Sequence, residues 1–280
     1  NEIFVNPARP LIEGLDTLPF PDREMFAKYE DYNVSMLYLC GRGCPFKCSF
    51  CSHTVLRSQY PKGQRYVRLQ SVDRCFEEMN LLKKKYKPKS FQIQDDVFTI
   101  NAKWMKEFCS RYLKEVGVPF QVTAYPGTIN EEKMRQLKEA GCIFLQVGIQ
   151  SLSQVNRKQI LHRNESNEDI SNCIELCNKN DIGISVDYIF FPWENNEKDQ
   201  LRAARFFHKY PPSRIANFYL SYLPGTEIFK YAQKMGYLSD KEIEDIELGK
   251  NAYYHASGEF KAKKKDMKLF NGFFNFFILL

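Results

Sequence analysis

The 280-residue chain has one tight group of cysteines and, at the usual distance from it, no second C-x2-C and no H-x3-H pair. That excludes the closed zinc knuckle built from two separated ligand pairs, and leaves Cys40 and His53 as the only nearby fourth ligands. The apolar stretch Leu269–Leu280 holds 12 residues, too few to cross a bilayer, and reads as a helix packing on the body of the protein or as the start of a further domain. No secretory leader is visible, so the nine cysteines read as reduced thiols in a cytoplasmic setting. Strong charge of either sign is also missing. The net charge of +6 comes largely from the lysine run 261–268, which reads as a solvated surface segment, not as a nucleic-acid or membrane contact. With 44% hydrophobic and 26% charged residues, the chain can bury one large core and fits a soluble globular enzyme.

What is present is concentrated in Cys44, Cys48 and Cys51, a C-x3-C-x2-C triplet flanked by Gly41 and Gly43. A cubane iron-sulfur cluster has four irons, so three clustered thiolates hold three of them and leave one open for chemistry. Cys40, on the preceding apolar run, reads as a small buried thiol.

Apolar and β-branched runs at Val34–Leu39, Ser90–Gln94, Phe120–Ala124, Ile143–Ile149, Ile184–Phe191 and Ala216–Tyr222 predict six strands. Helical patterns lie near Val72–Tyr86, Ala102–Val116, Asn130–Ala140, Glu168–Asn180, Glu197–Lys209 and Glu227–Met235, with Asn101, Asn130 and Asn167 as starts and Gly117 and Gly141 after ends. Six strands alternating with six helices predict an α/β fold, a parallel sheet curled into a partial (β/α)6 TIM-like barrel. In such barrels reacting groups collect at the carboxyl ends of the strands, and the cysteine loop follows the first.

The cysteine spacing, with Phe50 directly before the last cysteine, resembles the signature of the radical S-adenosylmethionine (SAM) superfamily. The resemblance implies the same partial barrel and a [4Fe-4S] cluster on Cys44, Cys48 and Cys51 whose open iron is chelated by SAM. Reductive cleavage of SAM then yields a 5'-deoxyadenosyl radical that abstracts hydrogen from a substrate, the protein positioning and shielding the cofactor. An electron donor such as a flavodoxin or ferredoxin is implied as partner.

Later strand ends carry the rest of the resemblance. Asp95-Asp96-Val97-Phe98-Thr99 is similar to the D-D-x-F-T segment of cobalamin-dependent members, where Asp95 or Asp96 would meet the SAM amino group; a helix cap is the structural alternative. Gly148-Ile149-Gln150-Ser151 resembles the element that places Gln150 and Ser151 near SAM, and glycine there permits close approach. Arg163 falls where relatives bind the SAM carboxylate, which a guanidinium fork matches, with a solvated helix-side arginine as the alternative. Asp187, acidic in an apolar run, resembles a ribose-side aspartate and needs a partner or the barrel mouth. Phe191-Pro192-Trp193-Glu194-Asn195 departs from the family's Gly-x-Pro-Gly-Glu, and Pro224-Gly225-Thr226 matches a common turn with threonine as a cap.

Leu15–Arg23 resembles the linker that follows a cobalamin-binding domain in the cobalamin-dependent subfamily. The expected organisation is a linker over 1–33 from a cobalamin domain missing upstream, a radical SAM core over 34–236 and a C-terminal extension over 237–280. Methylation, rearrangement or oxidation of an unknown substrate is the implied outcome. Two alternatives stay open: a methylthiotransferase-like enzyme acting on RNA or protein, and a non-enzymatic zinc module binding nucleic acid.

Overall fold

A computed structural model describes residues 4, 6–191, 193–194 and 197–250. The lysine run and the apolar C-terminal stretch lie outside the described residues, as do Pro192 and Asn195 of the departing motif. In chain order the elements are β1 (Met36–Tyr38), β2 (Gly41–Arg42), α1 (Ser52–Ser58), β3 (Arg68–Leu69), α2 (Val72–Tyr86), β4 (Phe91–Ile93), α3 (Ala102–Glu115), β5 (Phe120–Ala124) and α4 (Glu131–Glu139). They continue as β6 (Cys142–Gln150), α5 (Gln154–Gln159), α6 (Asn167–Lys179), β7 (Gly183–Phe190), α7 (Glu197–Lys209), β8 (Arg214–Tyr219), α8 (Glu227–Lys234) and α9 (Asp240–Glu247).

Six strands form one sheet in the order β1-β4-β5-β6-β7-β8, every neighbouring pair parallel. This is the α/β architecture expected from the six apolar runs, because parallel neighbours require a crossover helix between them. The short antiparallel pair β2–β3 was not expected. It brings Gly41 opposite Leu69 and Arg42 opposite Arg68, and so closes the cysteine loop and α1 into one unit. Two-residue strands leave too little pattern to read in a sequence.

Strand positions alternate between fully and partly buried along β5, from Leu145 onward in β6 and from Val186 onward in β7. Val122, Leu145, Val147, Ile184 and Val186 belong to the main core cluster with the helices, whereas Thr123, Gln146, Gly148 and Asp187 line a cavity. Parallel strands usually read as unbroken apolar runs because both faces are covered. Here one face is open at the mouth, so period-two polarity survives.

Caps follow local chemistry. Asn101 accepts from Trp104 N–H and Asn130 from Lys133 N–H, as expected. Asn167 is not the cap of its helix: Ser166 holds that place in a reciprocal capping box with Asp169, and Asn167 is the first helical residue. Thr226 occupies the N-cap of α8, but its hydroxyl donates back to Leu223 O and caps no N–H.

An aromatic group from α2, α3 and the turn before α3 anchors the core under the early strands. Phe108 is fully buried, with ring centroids 5.2 Å from Phe76, 5.2 Å from Phe98 and 5.0 Å from Tyr112. Phe108→Ala should therefore cost about 3–5 kcal/mol in denaturant unfolding, against about 0.5 kcal/mol or less for Leu113→Ala on the exposed face of α3.

Candidate functional site

The loop between β2 and α1 has no ladder of its own, and other elements hold it. Ser49 N–H donates to Leu161 O at 3.1 Å, and Ser49 O accepts from Ile228 N–H at 3.0 Å. The Arg57 guanidinium, on α1, donates to Cys44 O and lies 3.5 Å from Phe46 O. Thr54 Oγ1 donates to Cys51 O at 2.8 Å, and Cys51 N–H to Cys48 O at 3.1 Å. Gly43 lies at φ +86° against Tyr66 O, a position that no side chain fills without displacing the backbone of the hairpin.

Cys44, Cys48, Phe50 and Cys51 all line one cavity of about 220 Å3 at the carboxyl ends of the strands. Among the described residues no three His, Cys, Asp or Glu side chains close around a point as ligands of a single ion do. Three thiols on the wall of one cavity suit a cluster, which takes each thiolate on a different iron. Burial pushes all three thiols up, Cys44 to about 11, so ligation as thiolate releases protons.

The adjacent carboxylates after β4 have opposite fates. Asp95 is buried and accepts from Cys40 N–H at 2.8 Å and Gly41 N–H at 3.0 Å; it does not line the cysteine cavity. It holds the chain that leads into the cysteine loop. Asp96 does line the cavity, and His53 Nε2–H donates to its Oδ1 at 2.9 Å. His53 Nδ1 shares a hydrogen bond with the Tyr66 hydroxyl at 2.7 Å. His53 is thus engaged with an acid and a phenol, not placed as a fourth cysteine-site ligand.

Gln150 lines the same cavity in the left-handed region at φ 62°, on a β-bulge between β6 and β7. Its side chain folds back over Gly148, where a Cβ would strike the Gln150 amide. Glycine here leaves room for the Gln150 amide to lie in this orientation. Ser151, by contrast, is turned away. It is fully buried and its hydroxyl donates to the Glu194 carboxylate at 2.6 Å, which also accepts from Asn156 Nδ2 at 2.8 Å. The altered Phe-Pro-Trp-Glu motif therefore supplies a buried anchor for the turn after β6.

Asp187 lines the cavity, with Gln146 Nε2–H donating to its carboxylate at 2.9 Å; burial pushes its pKa up. Arg163 is buried, not solvated, and already engaged: Nε with Glu165 Oε1 at 2.6 Å, Nη2 with Gly148 O at 2.6 Å, and Nη1 3.7 Å from Cys48 Sγ. Its guanidinium carbon lies 4.7 Å from the centre of the Tyr125 ring, whose hydroxyl donates to Glu165. Sequence reasoning missed Gln146, Thr123, Tyr125 and Glu165. Polar residues at alternate positions of β5 and β6 were the available signal for the first two.

A family model described as the Radical SAM superfamily matches residues 38–204. An uncharacterized methyltransferase of Pyrococcus horikoshii is 30% identical over 81% of this chain and 49% of its own length. The anaerobic magnesium-protoporphyrin IX monomethyl ester cyclase of Rubrivivax gelatinosus is 27% identical over 67% of this chain and 34% of its own. Among solved structures, the radical SAM methyltransferase TsrM from Kitasatospora setae, with cobalamin and a [4Fe-4S] cluster bound, aligns at a TM-score of 0.62 and 16% identity, covering 74% of this chain and 41% of that one. The chain thus spans about half the length of the first relative and a third of the second.

Burial pushes Asp95 from 3.8 up to about 6, and its Oδ2 has no hydrogen-bond partner. Between those values the native state binds the proton more tightly than the unfolded chain, so Asp95 makes stability fall as pH rises from about 4 to 6 and has no further effect above. Asp95→Asn keeps an acceptor for the two N–H groups and removes the charge. Its unfolding midpoint in urea, relative to the unsubstituted protein without cluster, should therefore gain more at about pH 7.5 than at about pH 4.5.

Proposed function

Because the chain belongs to the radical SAM superfamily, we propose that Cys44, Cys48 and Cys51 hold a [4Fe-4S] cluster and that the rest of the cavity holds SAM. The observation that carries the reading is that three thiols, the Asp96 and Asp187 carboxylates and the Gln150 amide, from four different segments of the chain, line one cavity. When bound, the reduced cluster supplies the electron that cleaves SAM and starts radical chemistry on the substrate. Asp96, fixed by His53, presents a carboxylate to the SAM amino group. Gln150 and Asp187 offer an amide and a carboxylate to the ribose hydroxyls. Phe50 lines the cavity beside Cys51 and shields it from water. Asp95 and Ser151 act at one remove, the first on the chain entering the cysteine loop and the second, through Glu194, on the turn that sets Gln150.

Members of the superfamily are enzymes that need a reductant, and a flavodoxin or ferredoxin is the proposed donor in a reducing, cytoplasmic setting. No helix among the described residues is long and apolar enough to cross a membrane. For the whole protein we propose a cobalamin-assisted methyl transfer to a substrate still to be identified. Its support is the Asp95–Thr99 segment, the Leu15–Arg23 segment, the Pro-Gly-Thr turn, the methyltransferase relative and the cobalamin named in the TsrM structure. Neither the methylthiotransferase nor the zinc-module alternative has comparable support.

Alanine at Cys44, Cys48 or Cys51 should abolish the visible absorbance of a reconstituted cluster and all SAM cleavage, whereas Cys109→Ala and Cys173→Ala should leave both; an intact centre in the triple variant overturns the assignment. Asp96→Ala and Gln150→Ala should retain the cluster and weaken SAM binding by about 1.5–3 kcal/mol each, read by equilibrium titration. Unchanged affinity in both variants would reject their roles.

A further inference from the structure

We infer that Arg163 tunes the reduction potential of the cluster through the Cys48 ligand, and that Glu165 limits how far its charge acts. The inference rests on the assignment of Cys44, Cys48 and Cys51 as cluster ligands.

Arg163 Nη1 lies 3.7 Å from Cys48 Sγ, within reach of an N–H···S hydrogen bond. Cys44 and Cys51 meet uncharged donors, the backbone N–H groups of Phe46 and His53 and the Ser52 side chain, whereas the donor at Cys48 carries a charge; Arg57 reaches Cys44 at its carbonyl oxygen. Arg163 cannot easily swing away. Its backbone N–H donates to Arg157 O at 2.8 Å, its Nη2 to Gly148 O and its Nε to Glu165, and only 6% of the residue is exposed. Phe46 stacks on Tyr125 at 4.0 Å between ring centroids, and the guanidinium lies over the same Tyr125 ring, so an aromatic wall covers the contact.

Reduction adds a negative charge to the cluster and its thiolates. A fixed N–H donor and positive charge at one sulfur favour the reduced form and raise the potential, since hydrogen bonds to sulfur and net charge are what set it. Glu165, fully enclosed and paired to Arg163 at 2.6 Å, opposes that field. Removing either partner therefore moves the potential, in opposite directions. A purely structural role for the pair predicts no such sign pattern.

The test is a spectroelectrochemical titration of the reconstituted full chain without substrate, with iron and sulfide measured first. Arg163→Met should shift the midpoint potential to more negative values, Arg163→Lys should fall between Met and the unsubstituted protein, and Glu165→Gln should shift it to more positive values. Equal potentials in all the variants, or shifts of the same sign in the Met and Gln variants, overturn the role of Arg163. If Arg163→Met takes up no cluster, Glu165→Gln decides alone: a rise supports the inference, and no change or a fall overturns it. An unsubstituted protein that assembles no four-iron cluster overturns the cluster assignment itself, a result distinct from all of these.

Discussion

Three thiols can act together only if the loop that carries them is held still, and this loop has neither strand nor helix inside it. Its backbone groups are satisfied by partners drawn from across the chain. Asp95, after β4, takes the N–H groups of Cys40 and Gly41; Leu161, after α5, and Ile228, in α8, take the two sides of Ser49; Arg57 takes Cys44 O. A buried backbone group left without a partner costs about 1–3 kcal/mol, so each of these contacts restricts where the loop can go. The fold around the site, from β4 to α8, is in this sense a frame for a dozen residues.

The second constraint is the alternation of the strands. In β5, β6 and β7 one set of positions packs against helices and the other faces the cavity, which is why the polar side chains Thr123, Gln146 and Asp187 stand in otherwise apolar runs. Just past β4 two adjacent residues likewise part, Asp95 into the interior and Asp96 onto the cavity. One residue of register turns a carboxylate from a structural acceptor into a group that can meet a ligand.

That division shows what a sequence can and cannot carry here. The six strands were legible because each is a local apolar run, and Phe120–Ala124 was read to the residue. The cysteine triplet was legible because its ligands are close in sequence. Ser151 was not: its partner Glu194 lies 43 residues away, in a motif that looked only like a departure from the family pattern. Gln150 at positive φ and the amide folded over Gly148 follow from a bulge in the pairing of two strands, which no single segment encodes. The β2–β3 pair likewise has no periodicity to read.

Arg163 shows how burial decides a role that residue type leaves open. An arginine in this position could serve a cofactor carboxylate, but a guanidinium taken almost wholly out of water without a counter-charge costs several kcal/mol. Glu165 meets that cost within two residues, and Tyr125 in turn satisfies the other carboxylate oxygen. Once paired, the guanidinium still directs one nitrogen at a sulfur 3.7 Å away. The charge in this wall faces the thiols, where one added electron is the event it can influence.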